Sequence, residues 1–251
     1  MQPLLPPVFL AGAALGSLLL NAIFHSIRCS GTLGTEKQLS WVLTFVACVL
    51  LTLSSIPYVI CTLGQGLDVS KLVLTDSFSL AVLGGFLSYL VWDLALGVVY
   101  YKSAITVLTG YIHHIFYIGL ALFAATHGVS AVFCLMFYNE LPTVVLAVGS
   151  MRKEWRSDLL FATTFFCTRI LLHSVFLYKL YWYSDVRFLW KLLLLVFPMH
   201  VYWFYGTVCL QLKKCWSKRL LPKASSELDL APKETDTLLS HLLSLPRVDG
   251  T

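Results

Sequence analysis

The feature that most constrains this chain is where its charges are missing. Residues 1–212 carry only 11 basic and 8 acidic side chains, while residues 213–251 hold the other 7 and 5. Soluble domains carry about 25% charged residues. Here the figure is 12%, beside 58% hydrophobic residues and a mean hydropathy of +0.78. So little charge cannot dress a globular surface. A soluble enzyme is excluded, and what remains is a membrane domain followed by a short polar tail. The net charge of +5 sits in a few loops and the tail, so nucleic acid is not expected as a partner.

The long Leu, Val and Phe runs do not alternate, which predicts helices rather than barrel strands of about ten residues. A helical span needs about 20 apolar residues. Seven stretches approach this: 6–26, 41–63, 79–101, 111–127, 129–150, 159–180 and 189–212, the fourth being the shortest. Met1–Pro7 has no charged side chain and Arg28 follows the apolar run. A signal peptide has the reverse order, so an uncleaved first helix with an outside or lumenal N-terminus is expected. With seven spans, thirteen basic residues share one side, among them Arg28, Lys37, Lys102, Arg152, Lys153, Arg156 and those of the tail. The other side has four: Lys71, Lys179, Arg187 and Lys191. The positive-inside bias places the C-terminus in the cytosol. The expected fold class is therefore all-α, a polytopic transmembrane bundle of about seven spans. Its expected organisation is a first helix and cytosolic loop (1–39), a six-helix membrane domain (40–212), and a basic juxtamembrane segment with a disordered tail (213–251). Tyr100, Tyr101, Tyr178, Tyr181, Trp182 and Tyr183 fall at span ends and read as an interfacial aromatic belt.

Seven cysteines lie scattered, without CxxC or Cys/His ligand spacing. No metal site and no disulfide framework are indicated, and buried free thiols are expected. Cys215 stands apart. It lies beside basic residues at the membrane edge and is a palmitoylation candidate.

Charged groups inside spans are expensive, and they face the bundle interior. At about 1.5 Å per residue, Asp93, Glu140, Arg169 and His200 fall in one layer, roughly 13–18 Å from the cytosolic edge. His173 follows Arg169 at i+4, on the same helix face and one turn deeper. His113 and His114 lie shallower, at the cytosolic mouth of the fourth span. Two readings stay open for the layer: a structural ion pair with Arg169 between Asp93 and Glu140, or a polar cavity opening to the cytosol. The adjacent histidines project about 100° apart, so they are not the i,i+4 clamp of a metal site. They are either interfacial side chains or a general base. Pro142 beside Glu140 and Pro198 beside His200 interrupt helical hydrogen bonding and mark expected cavity walls.

The succession "YLVWDLALGVVYYK" (Asp93), "GYIHHIFYIG" (His113, His114), "FYNELPTVV" (Glu140, Pro142), "FFCTRILLH" (Arg169) and "FPMHVYWFYG" (His200, Trp203) resembles the TLC-domain family. That family is shared by ceramide synthases, translocating-chain-associating membrane proteins and small TLC-domain-containing proteins. The resemblance covers roughly residues 40–212. It implies a helical bundle around an interior cavity, concerned with lipids, in the endoplasmic reticulum, with the plasma membrane and endolysosome as alternatives. It also implies catalytic roles for His113 and His114, with Glu140 as their acidic partner, should the chain be an acyltransferase. Acyl-CoA would then be its co-substrate; no other cofactor is expected. After the pair, "YNELPT" offers one carboxylate where the synthases carry several, which is closer to the small TLC-domain proteins.

In the tail, Glu234, Leu238 and Leu239 of "ETDTLL" match an acidic dileucine signal for a sorting adaptor. The rival reading is an amphipathic segment lying on the membrane. The expected function is lipid binding or sensing in a polar intramembrane cavity, with membrane lipids as partners and self-association open. The alternatives are a ceramide-type acyltransferase and a transporter or trafficking receptor.

Overall fold

Apolar runs of this length leave each backbone group no partner but its own helix, and in the computed structural model the described residues, 5–183 and 188–227, form helices joined by loops, with no strand among them. In chain order the helices are α1 (Pro7–Ser30), α2 (Glu36–Leu39), α3 (Trp41–Gly64), α4 (Ser77–Tyr100), α5 (His113–Thr126), α6 (Ser130–Met136), α7 (Leu141–Met151), α8 (Asp158–Phe165), α9 (His173–Tyr183) and α10 (Leu189–Glu227). The ends follow local chemistry. Pro7 opens α1, and Gly31, at φ 65°, closes it in the left-handed conformation. Asp76 and Ser79 form a reciprocal capping box at α4, and Tyr58 donates its hydroxyl to Asp76 Oδ2 at 2.7 Å.

Six segments are long and apolar enough to cross a membrane: Pro7–Ser30, Glu36–Gly64, Ser77–Tyr100, Ser130–Met151, Asp158–Trp182 and Leu189–Trp216. At most 50% of any of them is buried inside the protein. The outward faces stay apolar, as at Leu18, Val99, Ile115 and Leu159, which suits hydrocarbon and not water. Two segments are internally irregular. The fifth expected span is α6, a 3₁₀ turn (Phe137–Glu140) and α7, with Pro142 in the first turn of α7. The expected break beside Glu140 is present. The sixth is α8, a π turn (Phe166–Leu172) and α9. Pro198, by contrast, lies within α10 without ending it.

The fourth expected span is a shorter apolar helix, Gly110–Thr126. Its helical run starts earlier than position 111, with a π turn at Val107–Ile112. Two sets of contacts fix its ends. Ser103 Oγ donates to Glu36 Oε2 at 2.5 Å, and Gln38 Nε2 to the Met151 carbonyl at 2.9 Å, which ties loops 1, 3 and 5 together at one end. At its other end Ser130 Oγ lies 2.7 Å from Thr75 Oγ1 and 2.8 Å from Ser79 Oγ, and the Ala131 amide donates to Leu74. Both sets of contacts lie in the residues that flank the segment 107–126.

The closest packing is between α1 and α4. "GAALG" (Gly12 to Gly16) on one helix meets Ala81, Gly84 and Ser88 on the other. Small residues at four-residue spacing let membrane helices approach closely. A Cβ on Gly84 would overlap the Phe9 carbonyl oxygen, and a Cβ on Gly12 the carbonyl of Ala81. Ser88 Oγ donates to the Ala13 carbonyl at 2.5 Å. This seam is readable in the sequence as a G-x-x-x-G motif, and the hydropathy reading passed over it. The chain forms two compact units, residues 1–197 and 198–251. The first helix belongs to the same unit as the helices that follow it.

Candidate functional site

The site begins with Asp93, seven residues before the end of α4. Its Oδ2 lies 3.0 Å from His114 Nε2, and its Oδ1 accepts the Tyr101 hydroxyl at 2.8 Å. Only 13% of the Asp93 side chain and 7% of the His114 side chain is exposed, so the pair is screened from water. His114 Nδ1 lies 2.7 Å from the Gly110 carbonyl. A carbonyl only accepts, so Nδ1 carries the proton and Nε2 faces the carboxylate. Nδ1 is thereby tied to the backbone, while Nε2 stands at ion-pair distance from Asp93.

A second pair forms from the broken spans. Arg169, inside the π turn, donates Nε–H to the Asn139 carbonyl and Nη2–H to Thr143 Oγ1, both at 2.7 Å, and Nη2 stands 3.5 Å from Glu140 Oε2. Its guanidinium lies over the Phe165 ring at 5.1 Å. Cys48 on α3 directs its thiol at Glu140 Oε2, 3.4 Å away. Glu140 keeps 26% of its side chain exposed against 10% for Arg169, so the carboxylate is the accessible end of this pair. Helix α3 links the two pairs. Thr44 Oγ1, one turn from Cys48, lies 3.3 Å from the Tyr89 hydroxyl, and the Tyr89 ring stands 5.8 Å from that of His114. The His113 ring lies 4.6 Å from that of Tyr117, tilted against it, and 5.5 Å from that of His114, edge to face.

Several expectations change here. Asp93 pairs with His114, and Arg169 is bound to Glu140 and the chain around it rather than standing between two carboxylates. The His pair is not shallower than Asp93. The helical run begins at Val107, so His114 lies seven residues in, the same distance that Asp93 lies from Tyr100. Tyr101 is not in the aromatic belt. It is 2% exposed, because the chain leaves α4 there and turns the ring inward to cap Asp93. Tyr178, Tyr181 and Trp182 are exposed, as a belt requires. His173 Nε2 lies 3.2 Å from the Leu193 carbonyl on α10, and its ring 5.2 Å from Phe197. His200 belongs to the second unit, where its ring lies 6.5 Å from Trp203.

Of the thiols, only Cys48 and Cys134 are buried; Cys29, Cys61 and Cys167 are exposed. Apolar sequence in a membrane bundle is covered by lipid as often as by protein. Cys215 is exposed on α10, as modification requires. Glu234, Leu238 and Leu239 lie outside the described residues.

A cavity of about 160 Å³ has an apolar wall and lies between α3, α7 and the π turn of Arg169. The charged groups themselves are closed against one another by the pairs above. Cys48, Tyr89, Tyr101, Asn139 and Thr143 are site residues that sequence reasoning missed. Tyr101 alone left a usable signal, eight positions after Asp93. No family model, no curated protein and no solved structure matches this chain.

Proposed function

We propose that this chain is a seven-span membrane protein of lipid handling, with its N-terminus outside or lumenal and its C-terminus cytosolic. It binds a lipid whose polar part meets the Glu140–Arg169 pair. The thirteen-to-four distribution of basic residues supports the orientation, and so does the clasp of loops 1, 3 and 5 at one end. The observation that carries the functional reading is the buried double pair, Asp93–His114 and Glu140–Arg169, built from the motifs that resemble the TLC-domain family. Such groups inside a membrane bundle default to functional sites, and the family resemblance supplies the word lipid.

Native mass spectrometry of the detergent-extracted protein tests this. A lipid of defined mass should accompany the wild type and be lost from Glu140→Gln and Arg169→Gln. A wild type that flies without lipid in every detergent tried overturns the reading. A second reading, acyl transfer, is favoured by His113 beside an imidazole that is already held by a carboxylate. It requires turnover of labelled acyl-CoA with a sphingoid amine that disappears in His113→Ala. No turnover across chain lengths counts against it.

A further inference from the structure

Loops 1, 3 and 5 each contain a short helical turn: α2, Lys102–Ala104 and Lys153–Trp155. Thr35 caps α2 by accepting the Gln38 amide. Two bonds hold the loops to one another, Ser103 to Glu36 and Gln38 to the Met151 carbonyl. Exposed basic residues crowd this clasp. Lys37 lies between Glu36 and Gln38, Lys102 precedes Ser103, and Arg152 and Lys153 follow Met151. Arg28, in the last turn of α1, joins them: its guanidinium lies 4.4 Å from the ring centre of Tyr100, two residues before Lys102. Among the described residues no carboxylate stands within 4.0 Å of these five. Arg156 is the paired one, with Asp158 at 3.0 Å. The loop at the far end of α3 behaves otherwise, since its Lys71 meets Asp68 at 3.2 Å.

A positive-inside bias accounts for the side on which basic residues collect. It does not account for their standing unpaired in loops that are fastened together. With Arg28, the three loops hold six basic side chains against Glu36, Glu154 and Asp158, a surplus of three. Depth names the partner. Lys102 stands two residues beyond α4 and Lys153 two beyond α7, so both lie within about 7 Å of a span end even if the chain is fully extended. The headgroup layer on each side of a bilayer is about 5–7 Å thick. A soluble protein or a nucleic acid would have to displace headgroups to reach these charges. Trp155, 72% exposed on the turn that starts at Lys153, is a residue type that settles at this level. A phosphodiester carries about −1 and leaves most of the surplus open, whereas a phosphate monoester adds about −1.5 to −2, and the two together approach −3. We propose that the clasped loops form a binding site for a lipid whose headgroup carries a phosphate monoester beyond its diester, such as a phosphorylated inositol lipid. Arg28, Lys37, Lys102, Arg152 and Lys153 are its cations. The site shares with the reading above only the membrane setting, and it uses none of the same residues.

The test titrates the full chain, in a neutral detergent, with dioctanoyl phosphatidylinositol 4-phosphate and separately with dioctanoyl phosphatidylinositol, and reads bound lipid by native mass spectrometry. The phosphorylated lipid should bind at least about tenfold more tightly, the factor that corresponds to about 1.4 kcal/mol. Lys37→Gln with Lys102→Gln, and Arg152→Gln with Lys153→Gln, should each weaken it by about fivefold per charge removed, which is about 1 kcal/mol, and narrow the preference. Lys213→Gln with Lys218→Gln removes the same charge from the tail and should keep the preference. Gln38→Ala with Ser103→Ala removes no charge but opens the clasp, and should narrow it. Inositol 1,4-bisphosphate, the headgroup without its chains, should displace the lipid only in at least about tenfold excess. Equal binding of the two lipids overturns the proposal. So does a tail pair that narrows the preference as much as the loop pairs do, or a clasp variant that leaves it intact. Displacement by the bisphosphate at equal concentration assigns the site to a soluble phosphate and overturns the lipid.

Discussion

Adding one methyl group at Gly84 tests the α1–α4 seam directly. An alanine there places its Cβ on the Phe9 carbonyl oxygen and 2.8 Å from the Ala13 nitrogen, where ordinary contact begins at 3.4 Å. Both obstacles are backbone, so α1 must retreat as a body. A radial gap of about 0.5–1 Å forfeits a quarter to a half of each van der Waals contact. Phe9 on α1 and Leu83 on α4, both buried at 0% exposure, flank these positions in sequence. Overpacking of this kind costs about 1–3 kcal/mol. The Ser88 bond to the Ala13 carbonyl stretches with it, at about 0.6 kcal/mol for a polar contact between membrane helices. Against this stands the gain of alanine over glycine in a helix, about 0.5–1 kcal/mol.

The neighbouring glycine supplies the control. A Cβ on Gly85 meets nothing within 4 Å, so Gly85→Ala keeps the propensity gain without the clash. The two variants, one residue apart in one helix, should differ by about 1.6–3.6 kcal/mol in unfolding free energy, the sum of the packing and hydrogen-bond terms. Equilibrium unfolding of the micelle-embedded protein by steric trapping measures this. Gly12→Ala, whose Cβ strikes the Ala81 carbonyl, should reproduce the loss from the other helix. Combined with Gly84→Ala it should lose less than the two together, since α1 has already withdrawn. If Gly84→Ala and Gly85→Ala are equally stable, the helices do not cross at these glycines and the seam as described is wrong.

Three further outcomes follow from individual contacts. Arg169→Met leaves Glu140 without its cation and should cost about 3 kcal/mol, the low end for breaking a buried pair, because the partly open Glu140 can rehydrate; adding Glu140→Gln should restore most of it in the same unfolding assay. Tyr101→Phe keeps the ring and removes the donor to Asp93, and should cost about 2 kcal/mol, as for a hydrogen bond to a charged group. At the extramembrane turn, Asp68 accepts from the Ser70 amide and hydroxyl and meets Lys71 at 3.2 Å. The Ser70 bonds, then Lys71, hold its carboxyl below the ordinary value. A depressed carboxylate stabilises above the unfolded-state pKa, about 3.9, and stops doing so as pH falls through its lower folded-state value. Hydrogen exchange at the Ser70 amide should therefore accelerate only on acidification below that range, and Asp68→Asn should flatten the profile.

Hydropathy made the helical class, the positions of six membrane-length segments and the break at Pro142 legible, because each depends on local composition. Pairing was legible only as a list of participants. Placing Asp93 beside His114 required knowing that the helical run before α5 starts with a π turn at Val107, and wide turns leave no mark in apolar periodicity. Cys48 looks like any apolar residue of α3 until Glu140 lies opposite its thiol. Tyr101 reads as a belt residue by position, and only the direction in which the chain leaves α4 turns it inward. The cysteines failed for a different reason. Apolar flanks predict removal from water, and in a membrane that is not the same as removal from the surface of the protein.

The irregular turns and the charged groups coincide. His113 and His114 follow the π turn 107–112, Glu140 closes the 3₁₀ turn 137–140, and Arg169 lies within the π turn 166–172. Carbonyls within these turns accept side chains, Gly110 from His114 and Asn139 from Arg169, so the polar residues bind backbone as well as each other. Arg169 consequently does more than neutralise Glu140. Its planar fork spans the Asn139 carbonyl, the Thr143 hydroxyl and the Glu140 carboxylate, which come from the 3₁₀ turn and the first turn of α7. A lysine carries the same charge on a single nitrogen without that fork. Arg169→Lys should thus keep Glu140 paired yet release the break, seen as faster hydrogen exchange at residues 137–143 with little change in the α1–α4 seam. Unchanged exchange there would reduce Arg169 to a counter-ion.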